Sequence, residues 1–155
     1  MLLAACSVCK ALREQELPKR YVLICEFRFS IAVLAPNQYY QGRCELWYNQ
    51  HATELFELPE TVRQGFCHEL ALLGEAMYNV LSPRKLNYEI LGNTVPHLHC
   101  HIVPRYPGDP LSKRPIWENP KYKAVERQHC MSRRDKLDLA ARIATEIQDL
   151  QRKSR

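Results

Sequence analysis

The chain has 155 residues, 46% hydrophobic and 25% charged, with 22 basic against 17 acidic side chains and a formal charge of +5. This length suits one domain with a buried core, and the composition is that of a globular protein, not a disordered or membrane-spanning one; no apolar run approaches ~18 residues. The basic surplus suits an acidic small substrate, and because bases and acids are interspersed it predicts no specific nucleic-acid surface.

In chain order, MLLAAC (1–6) superficially resembles a lipoprotein cleavage site. It lacks the charged n-region and the apolar h-region of ~7–15 residues that export needs, so a cytoplasmic protein is expected. Seven cysteines (Cys6, Cys9, Cys25, Cys44, Cys67, Cys100 and Cys130) are an odd number in a chain too long for a disulfide miniprotein. Reduced thiols, some of them on a metal, fit better. Cys6 and Cys9 form C-x₂-C, the spacing of a zinc ligand pair. The polar stretch KALREQELPKR that follows has room for a short helix.

YVLICEFRFSIAVL (21–34) is rich in β-formers and reads as two strands or one bent ribbon, broken near Phe27-Arg28. APNQYYQGR (35–43) has the Pro, Asn and Gly of a connecting loop, and CELWY (44–48) is a third strand. A helix opens at Pro59, with Val62, Phe66, Leu70, Leu73, Met77, Val80 and Leu81 at helical spacing. Ser82-Pro83 ends it. LNYEIL (86–91) alternates as a strand does, Gly92-Asn93 breaks it, and HLHCHIVP (97–104) is the next strand. Residues 106–131 are proline-rich and irregular. Ser132 and Asp135 resemble a capping box, and Leu137, Ala140, Ala141, Ala144, Ile147 and Leu150 mark an amphipathic helix to about Gln151. The pattern predicts α+β: an antiparallel sheet, one long central helix and a C-terminal helix.

The segment NTVPHLHCHIVPR (93–105) carries the chemistry. In a strand, positions i, i+2 and i+4 share a face, so His97, His99 and His101 line one side. Leu98, Cys100 and Ile102 face the core, which makes Cys100 a buried thiol and not a reagent. Two chemistries fit three histidines in phase. One is a catalytic metal site with an open position. The other is nucleophilic attack on phosphorus by one imidazole while its neighbours hold charge. At neutral pH imidazole is mostly uncharged and attacks without a separate base.

These residues resemble the signature of the histidine triad (HIT) family, with QHATELFELPE (50–60) similar to the segment leading into its central helix. The resemblance covers most of the chain and implies a single HIT-like domain over 1–155. It would comprise an N-terminal zinc-binding segment (1–20) and an irregular C-terminal extension (106–155). It further implies hydrolysis or transfer at the α-phosphate of a nucleoside phosphate conjugate, with His99 as nucleophile and His101 at the phosphoryl and leaving groups. Asn93 would face the phosphates where the family commonly has glutamine. Arg43 stands where many members have a fourth histidine and would hold phosphate charge; Asn37 would reach the ribose.

By the same resemblance to zinc-containing members, Cys6, Cys9, His51 and His97 would hold one structural zinc. His68 and His129 would be ordinary surface or packing histidines. Pro104-Arg105 and the tail with Trp117 lean toward dinucleoside polyphosphates. Trp117 itself would stack on a base or, better, pack in the core or a dimer interface. Members commonly form homodimers. The rival functions are a nucleotide-binding regulatory protein with vestigial hydrolysis, and a histidine-based metallohydrolase.

Overall fold

The computed structural model describes residues 6–109, 111–125 and 131–153. The MLLAA opening, His129 and Cys130 lie outside the described residues. Helix α1 spans Ser7–Glu14; strands follow as β1 (Val22–Glu26), β2 (Ser30–Leu34) and β3 (Cys44–Tyr48). Helix α2 (Glu60–Leu81), β4 (Lys85–Glu89), β5 (His99–Arg105), a short helix α3 (Pro120–Val125) and the long α4 (Arg133–Lys153) complete the chain. The five strands make one antiparallel sheet in the order β1-β2-β3-β5-β4, as the α+β expectation required.

Every residue of β3 and β5 is buried, because both faces of the sheet are covered. On one face Leu34, Leu46, Tyr48, Cys100 and Ile102 pack with Phe66, Leu73 and Met77 of α2 and Leu139, Ile143 and Ile147 of α4. Each large apolar side chain withdrawn from water here stabilises by about 1.5–3 kcal/mol. Helix α4 is therefore part of the main core and not an appendage. Ser132 Oγ accepts from the Asp135 N–H at 3.1 Å at its start, satisfying a donor that the helix leaves free. On the opposite face Val8 and Ala11 of α1 pack with Val33 and Trp47. Farther along, Ile116 and Tyr122 pack with Tyr40 and Val103.

Three boundaries differ from the sequence reading. Helix α1 begins at Ser7, not within 10–20, because the Cys6 side chain caps it: Sγ accepts from the Cys9 N–H at 3.4 Å. Strand β4 ends at Glu89, two residues short of Leu91. Strand β5 starts at His99, not His97. Pro96 offers no N–H to a ladder, and the His97 N–H bonds Val95 O at 2.8 Å, so the chain bends there.

Candidate active site and metal centre

The register sets the site. Glu45 pairs with His101 and Trp47 with His99 across β3 and β5, so these four side chains share the face away from α2. They border a cavity of about 780 Å³, a volume typical of small-molecule sites. Its rim takes in Tyr21, Arg43, Asn93 and Trp117 as well.

His99 and His101 lie edge to face, ring centroids 4.8 Å apart. His99 Nδ1 donates to the His97 carbonyl oxygen at 2.6 Å, which leaves Nε2 for the cavity. Burial lowers the pKa of His99, and the nearby His101 and Arg43 charges act the same way; the His97 carbonyl and Glu45 oppose them. The ring is thus held neutral, the form with a nucleophilic lone pair.

Arg43 is only 5% exposed, and its Nη2 lies 3.0 Å from His101 Nδ1 and 2.9 Å from Glu45 Oε1. Its guanidinium sits over the rings of Trp117 and Tyr122, 5.6 and 5.9 Å from their centroids. The buried Arg43 Nε has no hydrogen-bond partner among the described residues, and a buried unmet donor is costly. Arg43 reaches this position from a loop knitted by Gln38, whose Nε2 donates to Ala35 O and Arg43 O. Gly42 turns the chain at φ +83°. An added Cβ there would meet the end of the Leu81 side chain, which would have to shift, so glycine is needed chiefly for conformation.

The N-terminal cysteines meet His97 at the end of β5. Cys9 Sγ lies 3.2 Å from His51 Nδ1 and 3.4 Å from His97 Nδ1, and Cys6 Sγ lies 3.5 Å from His97 Nδ1. The four donor atoms all fall within 4.8 Å of one another. Zinc–sulfur and zinc–nitrogen bonds of ordinary length would put tetrahedral S···N edges at roughly 3.6 Å; the three S···N distances above lie within a few tenths of an ångström of that, and the widest pair of donors would close by up to about an ångström. His97 Nε2 donates to the Tyr48 carbonyl at 2.8 Å, which leaves Nδ1 as the ligand nitrogen. Burial, and then the neighbouring His51 and His99, lower the His97 pKa against the opposing bond to Tyr48, so the ring is neutral. Burial pushes the Cys9 thiol up to about 11, with the bond and charge of Cys6 acting the same way; a bound cation reverses that preference.

The expected residues divide clearly. Cys6, Cys9, His51 and His97 come together, as do Arg43, His99 and His101. Asn93 is exposed on the cavity rim. Asn37 lines the cavity too, but its amide is engaged locally: Nδ2 donates to Tyr122 O at 3.2 Å and Oδ1 accepts from Tyr39 N–H at 3.0 Å. Trp117 packs on His101, centroids 5.1 Å apart, and donates from Nε1 to Glu89. Arg105 points into the fold, bonding Asp109, Asn87 Oδ1 at 2.7 Å and Arg114 O at 2.8 Å. His68 is exposed on α2, and Cys100 is fully buried with its thiol raised to about 12 by that burial. Sequence reasoning missed Glu45. The usable signal was an acid two residues after Arg43, hence on the same strand face, within an otherwise apolar CELWY.

A family model, the HIT domain, matches residues 15–108. No curated protein matches the sequence. A histidine triad protein from Sinorhizobium meliloti 1021 superposes with TM-score 0.72 at 20% identity, over 93% of this chain and 98% of that one. A hypothetical histidine triad nucleotide-binding protein from Sulfolobus tokodaii gives 0.71 at 19%, over 96% and 95%. A zinc-bound family protein from Mycobacterium smegmatis gives 0.68 at 20%, over 96% and 97%. The family model spans more than half of the chain and includes the histidine row on β5, so the chain belongs to the HIT domain family.

Proposed function

We propose that the protein cleaves nucleoside phosphate conjugates, such as dinucleoside polyphosphates or adenylylated small molecules, at the α-phosphate through a nucleotidyl-His99 intermediate. The observation that carries this reading is the bond from His99 Nδ1 to the His97 carbonyl. It fixes the tautomer and aims Nε2 at the cavity, so attack needs no separate base. In the first half, His99 Nε2 bonds the α-phosphorus, the bond to the leaving group breaks, and His101 gives that group a proton. In the second, a water oxygen bonds the phosphorus, the bond from phosphorus to His99 Nε2 breaks, and His101 accepts a proton from the water. Arg43 lines the cavity and supplies guanidinium charge for the phosphoryl group. Asn93 contacts the phosphates from the rim. Asn37 reaches a ribose only by giving up one of its local bonds.

Zinc, when bound, is held by Cys6, Cys9, His51 and His97. Four protein donors close its coordination, so it supplies structure and not a Lewis acid. The zinc in the Mycobacterium smegmatis protein supports this reading. A cytoplasmic setting fits this reading, because cysteines that hold zinc must stay reduced. A second copy of the chain pairs along β4. Among the described strands β4 stands at one end of the sheet, with Tyr88 on it and Ile90 just beyond it exposed. A single-chain mass in light scattering at micromolar concentration contradicts the dimer.

A turnover screen across dinucleoside polyphosphates, nucleoside phosphoramidates and nucleotide sugars tests the function. Hydrolysis of at least one class, lost on His99→Ala, is expected. An inert wild type that still binds nucleotides would instead mark a regulatory binding protein.

A further inference from the structure

Glu45 is a buried charged group that the chemistry above does not use. It is 4% exposed and pairs with His101 across the sheet. Its Oε2 accepts from Trp47 Nε1 at 2.9 Å and from Tyr21 Oη at 3.3 Å. Its Oε1 accepts from Arg43 Nη2 at 2.9 Å and lies 3.3 Å from His101 Nδ1. Two neutral donors on one oxygen thus fix the carboxylate, while the other oxygen is aimed at the imidazole.

Arg43 Nη2 approaches that same His101 nitrogen at 3.0 Å. Arginine only donates and an ionised carboxylate only accepts. The Arg43 contact is therefore a bond when Nδ1 carries a lone pair, and the Glu45 contact is a bond when Nδ1 carries a proton. His101 has a partner in either state. When the ring is neutral and held by Arg43, or is the imidazolium held by Glu45, Nε2 carries a proton toward the cavity.

We propose that Glu45 is a positioning residue that accepts the Nδ1 proton of His101 and so keeps the His101 Nε2 proton aimed at a departing group unable to leave as an anion. This rests on the reading of His99 as nucleophile and His101 as the group at the leaving atom. The His99 Nε2 lone pair bonds the phosphorus, and the bond from phosphorus to the leaving atom breaks. The electron pair released takes the Nε2 proton of His101. His101 is left neutral, its remaining proton on Nδ1 and bonded to Glu45, which stays ionised throughout.

The test compares two adenosine 5′-phosphate derivatives in single-turnover nucleotidylation. One is an alkyl phosphoramidate, whose amine must be protonated to depart; the other is a nitrophenyl ester, whose anion leaves unaided. Glu45→Gln is expected to slow the amidate roughly 10–100-fold, the scale of general acid catalysis, and the ester far less. The ratio of the two rates is read on one preparation, so a smaller folded fraction lowers both alike and leaves it unchanged. Equal losses on both compounds overturn the proposal while leaving the nucleophile intact. Tyr21→Phe removes one donor from Oε2 and decides the matter if the glutamine variant does not fold: a smaller shift in the same direction supports the role, and an unchanged ratio overturns it. A folded wild type that is nucleotidylated by neither compound overturns the functional reading, and this one with it.

Discussion

His97 and His99 are joined through the backbone: the carbonyl oxygen of His97 accepts from His99 Nδ1 at 2.6 Å. His97 turns its own ring the other way, toward Cys6 and Cys9. One residue thus offers its side chain to the candidate metal centre and its main chain to the candidate nucleophile. Whatever fixes the cysteines also fixes the nucleophile's orientation.

Zinc content follows from this arrangement. The wild type is expected to hold one zinc per chain, His99→Ala to retain it, and Cys6→Ser to lose it. Loss should lower the thermal midpoint, since binding to the folded state alone is folding free energy. It should also slow nucleotidylation by roughly 10–100-fold through looser support of His97. Elemental analysis with calorimetry checks the first two effects. Zinc kept in Cys6→Ser and lost in His99→Ala would assign the metal to the catalytic histidines instead.

Acid stability should report Glu45. Burial opposes ionisation of its carboxyl, but the bond to His101, the charges of Arg43 and His101 and the Trp47 donor outweigh it, holding the pKa near about 2 against 4.5. Because the folded value lies below the unfolded one, this contribution is fully present above pH 4.5 and is lost as pH falls toward 2. It is worth about 3 kcal/mol. The difference in unfolding free energy between wild type and Glu45→Gln should therefore shrink by that amount between about pH 5 and pH 2. A difference independent of pH would mean that the carboxylate is not held in this network.

Gly42→Ala should cost about 2 kcal/mol or more in chemical denaturation, combining strain at positive φ with overpacking against Leu81. Activity should fall further than the folded fraction, because the next residue is Arg43. Stability equal to that of the wild type would contradict the turn geometry.

Much of this was legible from local pattern. The two-residue period of HLHCHIVP placed Cys100 and Ile102 under α2 and His99 and His101 opposite, and the helical spacing from Val62 to Leu81 matched a helix of 22 residues. The C-x₂-C pair met the two histidines expected of it. What escaped depended on contacts distant in sequence. Glu45 reads as a solvated acid until β3 is laid beside β5. Nothing near Arg105 in sequence shows that Asp109 and the Arg114 carbonyl take its donors. Trp117 is 16 residues beyond His101 in number (117 − 101), yet it covers that ring. The bend at Pro96 also altered the histidine row, which is a two-histidine strand face with His97 turned out of it.

The central claim is covalent chemistry at His99. Brief incubation with a nucleotide conjugate, rapid denaturation at high pH and mass spectrometry of the peptides should find one nucleoside monophosphate on His99, labile to acid and absent from His99→Ala. An adduct on His97 or His101, or continued turnover by His99→Ala at the wild-type rate, would contradict the account.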